Sequence, residues 1–325
     1  MDIIEEKVQK WSSASGDVDL IDINLLLAFL EKNVFEDYEP SKSGHYDFHT
    51  RLIDWLANVD DNENDQKTLF RLLPYIFYVG REEFDTLYRV AFTYHITHWL
   101  LSDSGARLDD KNISRTVNNL INKTWFCPIT DSMRINAFYH INHIKSNFRP
   151  DWKSLWKFGD KDKIKQFIDK KKYKYIVLLE DFVGTGNQMA KAVEFAASLN
   201  VDCKFLLLPL LCCSAGAEKG RAFQDKFSNI YFSQVVALGE ECFINRNKTK
   251  GEIPIADAAR DLIARTYPKV CGGIPSSETV PYSPFGYDGT GGLIVMYSNC
   301  PDNSLPILHH QSTEWKPLFP RVARV

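Results

Sequence analysis

The sequence predicts an α/β protein: a parallel-sheet domain preceded by an all-helical region. Three observations lead there. From about residue 120 onward, strand-like and helix-like stretches alternate, the order a parallel sheet requires. The strand candidates Tyr173 to Leu179 and Cys203 to Cys212 are continuous apolar runs, as buried strands are. The first 120 residues, in contrast, show helix-period patterns and no convincing period-2 alternation.

The length of 325 residues fits about two domains at roughly 150 residues each. The reading places residues 1–120 in the helical region and residues 121–325 in the sheet domain, ending in an irregular tail. In the helical region, Leu20 to Val34 is densely apolar, with Asp19 or Asp22 as its candidate cap. Phe48, Leu52, Trp55 and Leu56 recur at one-face helical spacing. Residues 60–65 form an acidic polar loop. Phe84, Leu87, Tyr88, Ala91 and His95 then mark a long helix from about Arg81 to Leu101.

In the sheet domain, Thr124 to Ile129 is a short strand, followed by a helical pattern through His143. A lysine-rich polar helix fills the stretch from residue 149 to Lys172. Next come the Tyr173 strand, a glycine turn, and a helix from Asn187 to Leu199. The strand at 203–212, a helix from Ala217 to Phe227 and a strand from Ile230 to Leu238 complete the alternation.

Composition excludes several classes. A hydrophobic share of 44% is enough to bury a core, so overall disorder is out. A formal charge of −3 gives no global attraction to nucleic acid or a membrane surface, and direct nucleic-acid binding is not expected. The longest apolar runs last about ten residues, half the roughly 20 that cross a bilayer. MDIIEEKVQKW has no continuous signal-peptide core. A soluble intracellular protein with reduced thiols is expected, because the seven cysteines form no CxxC pair. Cys212 and Cys213 read as core residues.

The chemistry-bearing stretch is Ile176 to Met189. An apolar strand ends in the adjacent carboxylates Glu180 and Asp181; Gly184-Thr185-Gly186 forms a short turn, and a helix begins at Asn187 and Gln188. Amides converging at a helix N-terminus favour a phosphate dianion. The two glycines permit close approach and positive φ, and Thr185 offers a hydroxyl. Carboxylates at a strand's carboxyl end accept hydrogen bonds from vicinal sugar hydroxyls. A ribose 5-phosphate satisfies both halves. A dinucleotide fingerprint fails because Met189 occupies its third glycine position, and a P-loop fails because no lysine follows the turn.

These residues resemble the phosphoribosyl-pyrophosphate loop of type I phosphoribosyltransferases, a Rossmann-like parallel-sheet fold. Glu180 and Asp181 match the acid pair, and Gly184, Thr185 and Gly186 match the 5-phosphate cradle. Gln188 departs from it, standing where the family usually carries Thr or Ser. Three motifs in order, Pro128 to Phe138, Glu180 to Met189, and the tail Asn299 to Pro306 with Trp315 to Arg321, also resemble the phosphoribosyltransferase-like effectors of bacterial conflict systems. That resemblance implies an anti-phage effector of the bacterial cytoplasm, encoded in loci that include retrons. It implies an ATPase and a reverse transcriptase–RNA complex as partners, and phosphoribosyl pyrophosphate or a ribosyl nucleotide as ligand, with Mg²⁺. By position, Thr130, Asp131 and Ser132 would hold pyrophosphate, with Arg134 adding charge. Asp131 or Ser132 reads equally well as a plain helix cap.

Catalytic relatives insert a flexible two-stranded hood before the Tyr173 strand, and this sequence has none. Closure then falls to the helical region or to the glycine-rich run Phe285 to Gly292, which reads equally as a strand connection. Transferase activity is therefore one reading. A binding or assembly module without catalysis, or an NAD- or nucleoside-cleaving hydrolase, are the others. His95-x2-His98, His140-x2-His143 and His45-x3-His49 lack further ligands and read as core or interface histidines rather than metal sites. Trp315 and Phe319 read as anchors that hold the tail.

Overall fold

The computed structural model describes residues 3–15, 17–40, 47–60, 62–145, 150–273 and 283–322. The chain opens with helices α1 (Ile3–Ser15), α2 (Asp19–Asn33), α3 (Phe48–Ala57) and α4 (Glu63–Leu72), then strand β1 (Phe77–Val79). Helices α5 (Arg81–Val90), α6 (Thr97–Ser104) and α7 (Ile113–Asn122) lead to β2 (Thr124–Pro128), α8 (Ile135–Ile141), α9 (Trp152–Phe158) and α10 (Lys161–Lys171). Then come β3 (Tyr175–Val183), α11 (Asn187–Ser198), β4 (Lys204–Cys212), α12 (Ser214–Lys226), β5 (Ile230–Phe232) and β6 (Val236–Ala237). Helix α13 (Ala256–Cys271), β7 (Ile294–Met296) and α14 (Pro306–His309) close the order.

Two compact units result: Met1–Arg81 with Gly239–Val325, and Glu82–Leu238. This division runs differently from a single break near residue 120. Periodicity identifies helices but not which of them share a core, and the chain's last quarter returns to the unit that its first quarter begins.

The Glu82–Leu238 unit is built on a parallel sheet in the order β2-β3-β4-β5, with β6 also pairing β4. One face carries Ile176, Leu178, Phe205 and Leu207 against Trp152, Ile164, Met189 and Val193 of α9, α10 and α11. On the other, Phe126 meets Phe92 and Phe138, and Trp99 meets Tyr175 and Tyr231. Covering both faces is why these strands are apolar throughout. Asp151 and Asp160 cap α9 and α10 by accepting from their first-turn amides.

Several elements differ from expectation. The expected Ile230–Leu238 strand is split in two. Both halves pair with β4, and the break lies beside Pro209, which has no N–H to donate although its carbonyl accepts from Val235 N. The long helix from Arg81 passes through a π-helical turn at Ala91–Ile96. Strand β1 interrupts the all-helical region. It pairs in parallel with β7, Phe77↔Ile294 to Val79↔Met296, and at three residues it is too short for alternation to reveal. Neither Asp19 nor Asp22 caps α2; Val18 holds the cap position, and Asp19 receives Arg71 instead.

The other unit buries Trp11, Leu52, Trp55, Phe70, Leu262, Val295, Trp315 and Phe319 in one cluster. Among the described residues, no helix is long and apolar enough to cross a membrane.

Candidate active site

Strand β3 runs through the acid pair rather than ending before it: Glu180 lies opposite Pro209, and Val183 opposite Cys212. Its neighbour β2 stops short. Ile129 N still donates to Leu179 O at 2.7 Å, and then the chain turns away. Glu180 and Asp181 therefore stand at a rim that β2 has vacated, yet they are only 6% and 5% exposed.

The turn after β2 bends back onto these carboxylates. Thr130 N donates to Glu180 Oε2 at 3.0 Å, and Thr130 Oγ1 to Glu180 Oε1 at 2.5 Å. Ser132 Oγ donates to Asp181 Oδ1 at 3.0 Å and lies 2.6 Å from Thr130 Oγ1. Phe182 N also donates to Asp181 Oδ1. Successive strand residues point to opposite faces, so Ser132, which also reaches Glu180 Oε1 at 3.4 Å, ties together two carboxylates that leave the strand in different directions. Such a buried, shared network fixes geometry more firmly than isolated bonds do.

Beyond Val183 lies the glycine turn. Gly184 and Gly186 are buried, Thr185 is half-buried, and Asn187 and Gln188 are exposed. Gly186 is the N-cap of α11 at φ +75°, a conformation that costs a side-chain-bearing residue about 1–2 kcal/mol. The N-cap Gly186 brings no side-chain cap to α11, in contrast to Asp151 on α9 and Asp160 on α10. The positive pole of the helix dipole thus lies behind a turn whose two glycines leave little side-chain bulk, the setting that suits an anion.

Two contributors were not legible in the sequence. A Cβ on Gly216 would lie 2.6 Å from Val183 Cγ1 and 2.8 Å from Gly184 O, so α12 is laid directly against the turn. From the same helix, Lys219 Nζ donates to Asn187 Oδ1 at 2.6 Å. A glycine three residues before a lysine in a polar helix gives no signal until the packing is known.

Of the remaining candidates, Asp131 and Arg134 are exposed. Arg134 occupies the cap position of α8 without a side-chain cap bond, so the reading of Asp131 or Ser132 as a helix cap is not realised. Between α8 and β3 the described residues form α9 and α10, with no hairpin among them. The Phe285–Gly292 run leads into β7 in the other unit and is a strand connection.

His95 Nδ1 lies 2.7 Å from Ser233 Oγ, and burial holds its pKa below the usual histidine value, helped by neighbouring His98. His98 lies against Tyr94, and His140 and His143 are exposed. His45 falls outside the described residues. Among the described residues, no cluster of three or more His, Cys, Asp or Glu could hold a metal. All seven cysteines are free. Burial pushes Cys212 up to about 12 and Cys127 upward as well, so neither is a thiolate nucleophile at neutral pH.

The tail motif lies in the first unit. Trp315 Nε1 and Trp55 Nε1 both donate to Ile307 O, Arg51 Nε donates to Leu318 O, and Tyr38 OH donates to Pro320 O. These bonds hold an irregular backbone in place, as expected of anchors.

No curated protein and no solved structure matches the chain. A family model, PRTase-CE, matches residues 52–321, a span that takes in the Thr130 turn, the acid pair, the glycine turn and the tail anchors. The chain belongs to this phosphoribosyltransferase-like family, PRTase-CE.

Proposed function

We propose that this protein binds phosphoribosyl pyrophosphate, or a related ribosyl nucleotide, and acts at its anomeric carbon as an effector of bacterial anti-phage defence. The observation that carries the ligand assignment is one juxtaposition: a buried acid pair and a helix N-terminus that opens on a glycine turn, joined by the last residues of a single strand. Sugar hydroxyls meet the carboxylates, and the 5-phosphate meets the amides of Thr185 to Gln188. The defence role, its cytoplasmic setting, and an ATPase with a reverse transcriptase–RNA complex as partners rest on the three-motif resemblance.

In this reading Asp181 stabilises the cationic sugar that forms as pyrophosphate leaves. Glu180, held by Thr130, keeps the turn after β2 in register with it. Thr130 and Ser132 face the pyrophosphate side. The oxygen-only donor set suits Mg²⁺, which takes one or two carboxylates together with substrate phosphates rather than a protein cage; Glu180, Asp181 and the two hydroxyls would hold it. When bound, it offsets the charge that builds on the leaving group.

A second reading, a non-catalytic binding module, is favoured by a specific observation. Helices α9 and α10 occupy the stretch where a hood would be inserted, and nothing else among the described residues of this unit supplies one.

Calorimetric titration with phosphoribosyl pyrophosphate, with and without Mg²⁺, separates these readings when pyrophosphate release is followed in the same sample. Mg²⁺-dependent micromolar binding with turnover supports the enzyme. Binding without turnover supports the module. Wild type that does not bind leaves the pocket without its ligand and sinks the proposal.

A further inference from the structure

Lys219 of α12 lies half-buried beside the glycine turn. Its ammonium is bonded to Asn187 Oδ1, on the first residue of α11. Its stem runs along the turn: a Cβ on Gly186 would lie 3.1 Å from Lys219 Cδ and 3.4 Å from its Cβ. Among the described residues, Asn187 is its one hydrogen-bonding partner, and no carboxylate pairs with it. A cation beside a helix N-terminus faces the positive end of the dipole, which is repulsive. Elsewhere in this unit, Lys204 has Asp103 as counter-charge.

The cost of this arrangement becomes a gain if an anion sits between the lysine and the helix. Gly216 makes that geometry accessible by bringing α12 onto the turn with no side chain intervening. We infer that Lys219 is a ligand of the terminal phosphate monoester of the sugar substrate, leaving Asn187 to make an ion pair with the phosphate carried by the Gly184–Gly186 turn. The inference rests on the phosphate pocket proposed above and adds to it a cationic contact from α12. It also narrows the ligand class: a ribose bearing a dianionic 5-phosphate is preferred to one whose 5-oxygen is unsubstituted or in a diester, because the charge-assisted bond scales with the charge presented.

The test is calorimetry with ribose 5-phosphate, a probe that needs no turnover, on the full chain and on its Lys219→Ala and Lys219→Arg variants. Denaturation midpoints are measured alongside. Lys219→Ala is expected to weaken binding by about tenfold or more, the usual worth of a charge-assisted hydrogen bond, with an unchanged midpoint. Lys219→Arg is expected to restore affinity to within about threefold, since it keeps the charge. If wild type binds and Lys219→Ala binds equally well, the lysine assignment is overturned while the pocket stands. Rescue failing in Lys219→Arg, with binding already lost in Lys219→Ala, would assign Lys219 to shaping the turn and also overturn the phosphate contact. Wild type that binds neither ribose 5-phosphate nor inorganic phosphate overturns the pocket, and Lys219 with it.

Discussion

Two of the motifs that mark this chain come together, and the third serves a different purpose. The Thr130 turn and the Glu180–Gln188 stretch meet through side chains: hydroxyls on carboxylates, at a strand end, beside a helix whose N-cap is Gly186. In the tail, main-chain carbonyls of Ile307, Leu318 and Pro320 accept from Trp55, Trp315, Arg51 and Tyr38, and the motif's Arg321 and Asp302 pair with each other. In the first case the side chains define a place for a ligand. In the second they satisfy the backbone of a segment with little regular structure. A motif can mark a family either by what it binds or by what it holds in place, and the hydrogen-bond acceptors tell the two apart.

That contrast can be broken by substitution. The largest expected effect is on the tail: Trp315→Ala removes a ring that is 1% exposed and a bond to Ile307 O, and should cost about 3–5 kcal/mol in chemical denaturation. A loss below about 1 kcal/mol would remove the anchoring role. In the site, Asp181→Asn with Thr185→Ala should abolish phosphoribosyl-pyrophosphate binding while leaving the chain folded. Unchanged affinity in a folded double variant would remove the pocket assignment. Gly186→Ala tests the turn, because the positive φ alone should lower stability by about 1–2 kcal/mol.

The last effect concerns pH. His309 is fully buried in the tail region, and burial, with Arg321 nearby, lowers its pKa to about 3. The unfolded chain binds the proton near the ordinary value of 6.5. Between those values the unfolded state carries more protons, so His309 stabilises the fold above about pH 6.5 and loses that contribution as pH falls toward 3. Replacing it with Gln should remove up to one proton from the acid limb of the stability curve, a slope of about 1.4 kcal/mol per pH unit. A limb of unchanged steepness would show that His309 does not carry it.

The fold class was legible in the sequence because parallel strands covered on both faces are apolar throughout, as β3 and β4 are. The glycine turn was legible because few residue types tolerate its backbone. Strand β1 escaped because three residues leave no period to detect. The true extent of β3 escaped because carboxylates read as the end of a buried run, whereas Glu180 lies within the paired register and Asp181 is held by Ser132 and Phe182 N. Gly216 and Lys219 escaped because their roles exist only once α12 lies on the turn. The grouping of the chain into units depends on long-range pairing such as β1 with β7, which no local pattern carries.

The most direct test of the central claim is hydrogen–deuterium exchange of the full chain with and without phosphoribosyl pyrophosphate and Mg²⁺. The account predicts slowed exchange at residues 130–132 and 184–189, with the tail at 299–306 and 315–321 unchanged. Protection confined to the tail, or none at the glycine turn under saturating ligand, would contradict it.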